Sequence, residues 1–137
     1  MPQEPLVSFV DRGRLVEGTI LSSSVLDALN VSRFGNEVLA HIRNRPGINL
    51  LLNFERVNYL SSAVLTELLR INEAVQEVAG RLRLCALNQD IRKVFEITNL
   101  DKIFVIYGSP EEAEERFERS LEVEAQEASW EKVQKKD

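Results

Sequence analysis

The 137-residue sequence predicts an α/β domain built on a mixed, mostly parallel sheet, with an N-terminal antiparallel hairpin and about four helices. Three observations carry this. Residues 6–10 and 14–20 are strand-like runs separated by Asp11-Arg12-Gly13, whose glycine suits a tight hairpin connection. Residues 48–54 form a compact apolar run without alternation, as in a strand covered on both faces. An amphipathic helical stripe separates it from a second apolar run at 82–87, and two strands joined through a helix run parallel.

In chain order, the hairpin gives way to a polar patch at Ser22-Ser23-Ser24. A helix near 34–45 follows, carrying Val38, Leu39 and Ile42 on one face and stopped by Pro46-Gly47. The strand at 48–54 is expected to be central. It leads through Glu55 to Leu60 into the clearest helix, at 62–79, where Val64, Leu68, Ile71, Val75 and Val78 recur at helical spacing and Leu65 and Leu69 widen the stripe. Gly80 is expected to end it. After the strand at 82–87, Asn88 to Asp90 offer N-caps for a short helix bearing Ile91, Val94, Phe95 and Thr98, and residues 103–107 make a further strand. Ser109-Pro110-Glu111-Glu112 opens the last helix, with Ser109 as N-cap, Pro110 in the first helical position and Glu112 completing a capping box; Ala113, Phe117 and Leu121 face inward. The apolar stripe thins beyond residue 124, so residues 1–124 are read as one domain and 125–137 as a charged tail that frays.

The composition, 44% hydrophobic and 28% charged, is that of an ordinary soluble domain. The start lacks a secretion signal and no apolar run approaches membrane-spanning length, so a cytoplasmic protein without membrane insertion is expected. The net charge of −5 belongs to the tail: residues 110–137 hold 10 acidic and 5 basic side chains, while residues 1–109 hold 12 of each. With no basic excess in the body, there is little to drive binding to nucleic acid, and no such partner is expected.

Most of the groups that catalytic chemistry needs are absent. The single cysteine, Cys85, permits neither an intramolecular disulfide nor a cysteine metal cluster, and its apolar strand setting reads as packing. The lone His41 lies on a surface helix and reads as an ordinary solvated side chain. There is no G-x-S-x-G elbow and no glycine-rich phosphate loop, so no enzyme activity, metal or cofactor is expected. The glutamate pairs at 111–112 and 114–115 sit on a capped helix, where they complement its dipole.

Leu60-Ser61-Ser62-Ala63 remains. Either serine can cap the helix at 62–79 through its hydroxyl, and Leu60 can staple onto Leu65. The pair also follows a central strand, at the sheet edge where α/β proteins carry their working loops. A phosphoryl group there adds about −1.5 to −2 charges to a helix N-terminus that tolerates them, so one modification can change the surface without unfolding the domain.

Over roughly residues 5–122 this order of elements resembles the STAS domain of the anti-sigma factor antagonists. The segment from Leu50 through Leu60-Ser61-Ser62-Ala63-Val64-Leu65 to Leu87 carries the likeness, with Asn88 to Leu100 fitting as well. The family's usual motif is Asp-Ser-Ser-Gly; here Leu60 stands for the Asp and Ala63 for the Gly, and an acidic position common after the second strand falls near the apolar Leu21. The resemblance implies an antagonist that binds an anti-sigma factor with serine kinase activity. Phosphorylation at Ser61, or alternatively Ser62, ends that binding, and a phosphatase restores it. The implied partner-binding residues are Leu21, Ser22, Ser23, Leu60, Ser61, Ser62 and Ala63. The alternative is a constitutive STAS adaptor, or a structural subunit of a signalling scaffold or transporter assembly.

Overall fold

A five-stranded sheet forms the centre of the computed structural model, which describes residues 5–21 and 30–134. Its strands are β1 (Val7–Arg12), β2 (Leu15–Ile20), β3 (Asn49–Asn53), β4 (Arg81–Cys85) and β5 (Val105–Tyr107), and they lie side by side in chain order. β1 pairs antiparallel with β2 through the expected hairpin, and β2 to β5 are all parallel. The helices are α1 (Val31–Ile42), α2 (Ser62–Glu77), α3 (Gln89–Ile97) and α4 (Pro110–Gln134).

Strand alternation distributes the core over two faces. Leu50 and Leu52 of β3, with Leu82 and Leu84 of β4, pack against Phe34 and Val38 of α1, Leu68 and Ile71 of α2 and Phe95 of α3. Leu51 and Cys85, pointing the other way, meet Ala113, Phe117 and Leu121 of α4. This is why β3 reads as an unbroken apolar run: both of its faces are covered. Arg83 lies on the α4 face too, with its guanidinium 5.3 Å from the centre of the Phe117 ring.

Element boundaries depart from the sequence expectation where backbone geometry intervenes. α1 spans Val31–Ile42 rather than 34–45: the Arg43 N–H still donates to Leu39 O, but Arg43 turns extended and Asn44 adopts a φ of 62°. Arg45 precedes Pro46 and is disfavoured in a helix. The stop of α2 is shared differently than expected. Ala79, not Gly80, takes the left-handed position with φ 59°, and the N–H groups of Ala79 and Gly80 donate to Gln76 O and Val75 O in the double bond pattern of a Schellman cap. β5 is shorter than the apolar run 103–107. A 3-10 turn at Leu100–Lys102 draws the N–H groups of Ile103 and Phe104 back to Leu100 O, so Phe104 is buried from a turn rather than a strand.

α3 is capped as expected, with Asn88 Oδ1 accepting from the Ile91 N–H at 2.9 Å. α4 starts with its capping pair: the Glu112 N–H donates to Ser109 Oγ, and the Glu112 carboxylate accepts from the Gly108 N–H. The helix runs on to Gln134, well past Leu121. His41 is not an ordinary solvated residue; its ring stacks on Phe9 with centroids 3.8 Å apart and planes 2° off parallel. Burial first, then Arg45, lower its pKa from 6.5. Among the described residues no helix is long and apolar enough to cross a membrane.

Candidate functional site

Because β2 to β5 run the same way, the segments leaving their C-terminal ends share one edge of the sheet: Leu21, the loop 54–61, residues 86–88 and Gly108-Ser109. The strand order never reverses, so among the described residues no crevice is opened here by a reversal between diverging loops. It presents a loop surface with shallow grooves instead. The Ser61-Ser62 pair stands on it.

The loop from β3 to α2 is fixed residue by residue. Phe54 extends the sheet by donating its N–H to Cys85 O at 3.0 Å, and the Val57 N–H turns back to Phe54 O at 2.9 Å. Asn53, buried, accepts from the Glu55 N–H at 2.9 Å and donates to Glu17 Oε2 at 3.3 Å. Glu17, only 5% exposed, also pairs with Arg12, which reaches Glu114 of α4 at the same 3.1 Å. The hydrogen bond with Glu17, together with burial, raises the Glu114 carboxyl above its usual range, against the pull of Arg12. On this side Cys85 is fully buried, and burial, then the carboxylates of Glu17, Glu55, Glu114 and Glu111, push its thiol up to about 12, which excludes a reactive thiolate.

Ser61 occupies the N-cap position of α2 in extended backbone geometry, and its carbonyl accepts from the Val64 N–H at 3.1 Å. Its hydroxyl, expected to cap the helix, does not. Ser61 Oγ is buried and has no hydrogen-bond partner in the protein. The cap is therefore positional only. Ser62 and Ala63 are exposed, while Leu60 is half-buried and packs, like Leu65, on the core that α2 helps to form. Those are the two staple positions.

Leu21 closes the hairpin by donating its N–H to Leu6 O at 2.9 Å and lies half-buried at the end of β2. It is on the same sheet edge as Ser61. Ser22 and Ser23 lie outside the described residues.

Two features of the site are absent from the sequence reading. Asn88, legible as the α3 cap, also donates its side-chain amide to Asn58 O at 3.0 Å and Val57 O at 3.4 Å, tying the loop to α3. Beside it, Asn58, Tyr59, Leu60, Asp90, Ile91 and Val94 line a groove of about 200 Å³, and Tyr59 is 57% exposed. Nothing in the local sequence signals the second role of Asn88, since its partners are some thirty residues away. Among the described residues no group of three or more His, Cys, Asp or Glu is placed to hold a metal ion.

The sequence model of the STAS domain family matches residues 19–113, more than half of the chain. The chain belongs to the STAS family. The matched stretch takes in the end of β2, strands β3 to β5 and the Ser61 edge. Among its relatives, BtrV of Bordetella bronchiseptica, provisionally designated an anti-sigma factor antagonist, is 29% identical over 108 residues, which span 77% of this chain and 92% of BtrV. An anti-sigma-factor antagonist (STAS) domain protein from Planctomyces limnophilus shares the fold with a TM-score of 0.73 at 17% identity, covering 81% of this chain and 97% of its own. The Bacillus cell fate determinant SpoIIAA, in its phosphorylated form, shares it with a TM-score of 0.62 at 23% identity, covering 80% and 97%.

Proposed function

We propose that this STAS domain is an anti-sigma factor antagonist of the cytoplasm. Its Ser61 edge, including Leu21 and Leu60 to Ala63, binds an anti-sigma factor with serine kinase activity; phosphorylation at Ser61 ends the binding and a phosphatase restores it. The observation that carries this reading is the place of Ser61: the N-cap position of α2, on the carboxyl edge of the sheet of a domain whose family includes relatives designated anti-sigma factor antagonists. An edge whose described residues form only shallow grooves suits docking to a protein better than turnover of a small molecule.

The chemistry of the switch follows from charge. The unmodified edge is apolar at Leu60 and Ala63 and neutral at both serines, so a partner can desolvate it at little cost. A phosphoryl group on Ser61 adds about −1.5 to −2 charges to that patch. The free N–H groups of α2 stabilise the charge within the domain, and a partner surface shaped for neutral serine is repelled. Ser62, exposed, is the alternative acceptor.

Incubation with ATP and the cognate kinase, followed by intact-mass measurement of the wild type, Ser61→Ala and Ser62→Ala, tests the site. One phosphoryl group in the wild type and in Ser62→Ala, with none in Ser61→Ala, is the expected outcome. The second reading, a constitutive adaptor or scaffold or transporter subunit, is favoured by the buried Ser61 hydroxyl and the apolar Leu60. It predicts a stable complex indifferent to Ser61→Asp.

A further inference from the structure

A serine that accepts a phosphoryl group has to extend its hydroxyl into another protein's active site. Ser61 Oγ is turned inward, buried and unbonded, although its neighbours Ser62 and Ala63 are exposed. Burying a hydroxyl without a partner is unfavourable, so this seat is maintained by contacts elsewhere in the segment. Val57 is buried and Leu60 packs on the core, but among the described residues the polar side-chain tether of the segment comes from a different element. Asn88 donates to the carbonyls of Val57 and Asn58 while its oxygen caps α3 at Ile91.

We propose that Asn88 is a latch: by bonding α3 and the loop at once it keeps the 57–61 segment closed with Ser61 inward, and release of its bonds to residues 57 and 58 is the step that presents Ser61 for modification. The regulatory meaning rests on the reading of Ser61 as the phosphorylation site. The closed arrangement is shallow. Opening loses two hydrogen bonds to carbonyls that water can then satisfy, and it frees the Ser61 hydroxyl to find the partner it lacks. Because a single carboxamide serves both elements, a partner that displaces the start of α3 also loosens the segment holding Ser61.

The latch can be tested in the full chain without any kinase. A Ser61→Cys thiol is compared with a Ser62→Cys thiol for its rate of reaction with a neutral alkylating reagent. Cys85 contributes nothing, being fully buried with its thiol held up at about 12. The Ser61→Cys thiol is expected to react at least about tenfold more slowly than the Ser62→Cys thiol, and adding Asn88→Asp is expected to remove most of that difference. Asn88→Asp keeps the oxygen that caps α3 but has no N–H to donate. Asn88→Ser, which caps but is too short to reach the loop, should act alike. In chains that retain Ser61, hydrogen exchange should quicken at the amides of residues 57–62 and stay unchanged at Ile91 to Phe95.

Equal thiol reactivity at the two serine positions, or unchanged labelling and exchange in both Asn88 variants, would overturn the latch. So would faster exchange throughout α3, which would assign Asn88 to capping alone. Phosphorylation of Ser61 together with a negative latch result would leave the proposed function standing; a positive latch result with no phosphorylation would remove the proposed function and leave the closed segment as a structural fact.

Discussion

Ala79 performs the helix stop that the sequence assigns to Gly80, and Gly80 has a separate task of its own. Ala79 bears the left-handed backbone of the α2 cap, whereas Gly80 lies where a Cβ would come within 2.3 Å of Ile48 O, part of the backbone leading into β3. Gly80→Ala is therefore expected to destabilise the fold by roughly 1–3 kcal/mol, as overpacking against an immovable backbone does. Ala79→Gly is expected to stabilise it by about 1 kcal/mol, through relief of the left-handed Cβ clash. Urea denaturation midpoints of the two variants check the opposite signs. His41 supplies a second prediction at this scale. Its pKa is lowered in the folded state, so the unfolded chain binds the proton more readily, and stability falls as pH drops from above 6.5 through the folded value. Replacing it with Phe, which keeps the stack on Phe9 but cannot titrate, should flatten that part of the stability profile. The midpoints at about pH 7.5 and about pH 5.5 should then differ less than in the wild type.

Among the elements, α4 is joined to the sheet near its beginning and loosely afterwards. Ala113, Phe117 and Leu121 bury against β3 to β5, and Glu114, Glu118 and Glu124 pair with Arg12, Arg14 and Arg81 of the strands and their turn. Past Leu121, Val123 and Trp130 are exposed, Trp130 by 63%. Phe117→Ala is expected to cost about 3–5 kcal/mol. Truncation after Glu124 should leave the unfolding free energy within about 1 kcal/mol, since exposed residues contribute little; this tests whether the domain ends near residue 124. The caps of α3 and α4 were legible in the sequence because Asn88 and Ser109 bond within their own helices, three residues away. The α2 cap was not: which way the Ser61 hydroxyl turns is decided by the loop and core around it. The apolar pattern misled at Ile103-Phe104, where a side chain buried from a turn looks the same as one buried from a strand.

Across the whole molecule, the parallel sheet with its N-terminal hairpin follows from features any reader of the chain can see: strand runs separated by amphipathic helices, with the apolar run 48–54 at the centre. What the chain does not display is how its C-terminal strand edge is knit together. Asn53 to Glu17 and Asn88 to Asn58 are polar contacts between segments far apart in sequence, and no local pattern marks them. They hold the segments of the Ser61 edge together, and the proposed function requires that a small chemical change there be read by a partner. That is the account's central claim, and calorimetric binding of the purified chain to its cognate anti-sigma kinase tests it most directly, comparing the unmodified protein with the form phosphorylated at Ser61. The account predicts tight binding of the unmodified chain and a loss of at least about a hundredfold on phosphorylation, as several kcal/mol of repulsion and desolvation would produce. Equal affinity of the two forms would contradict it.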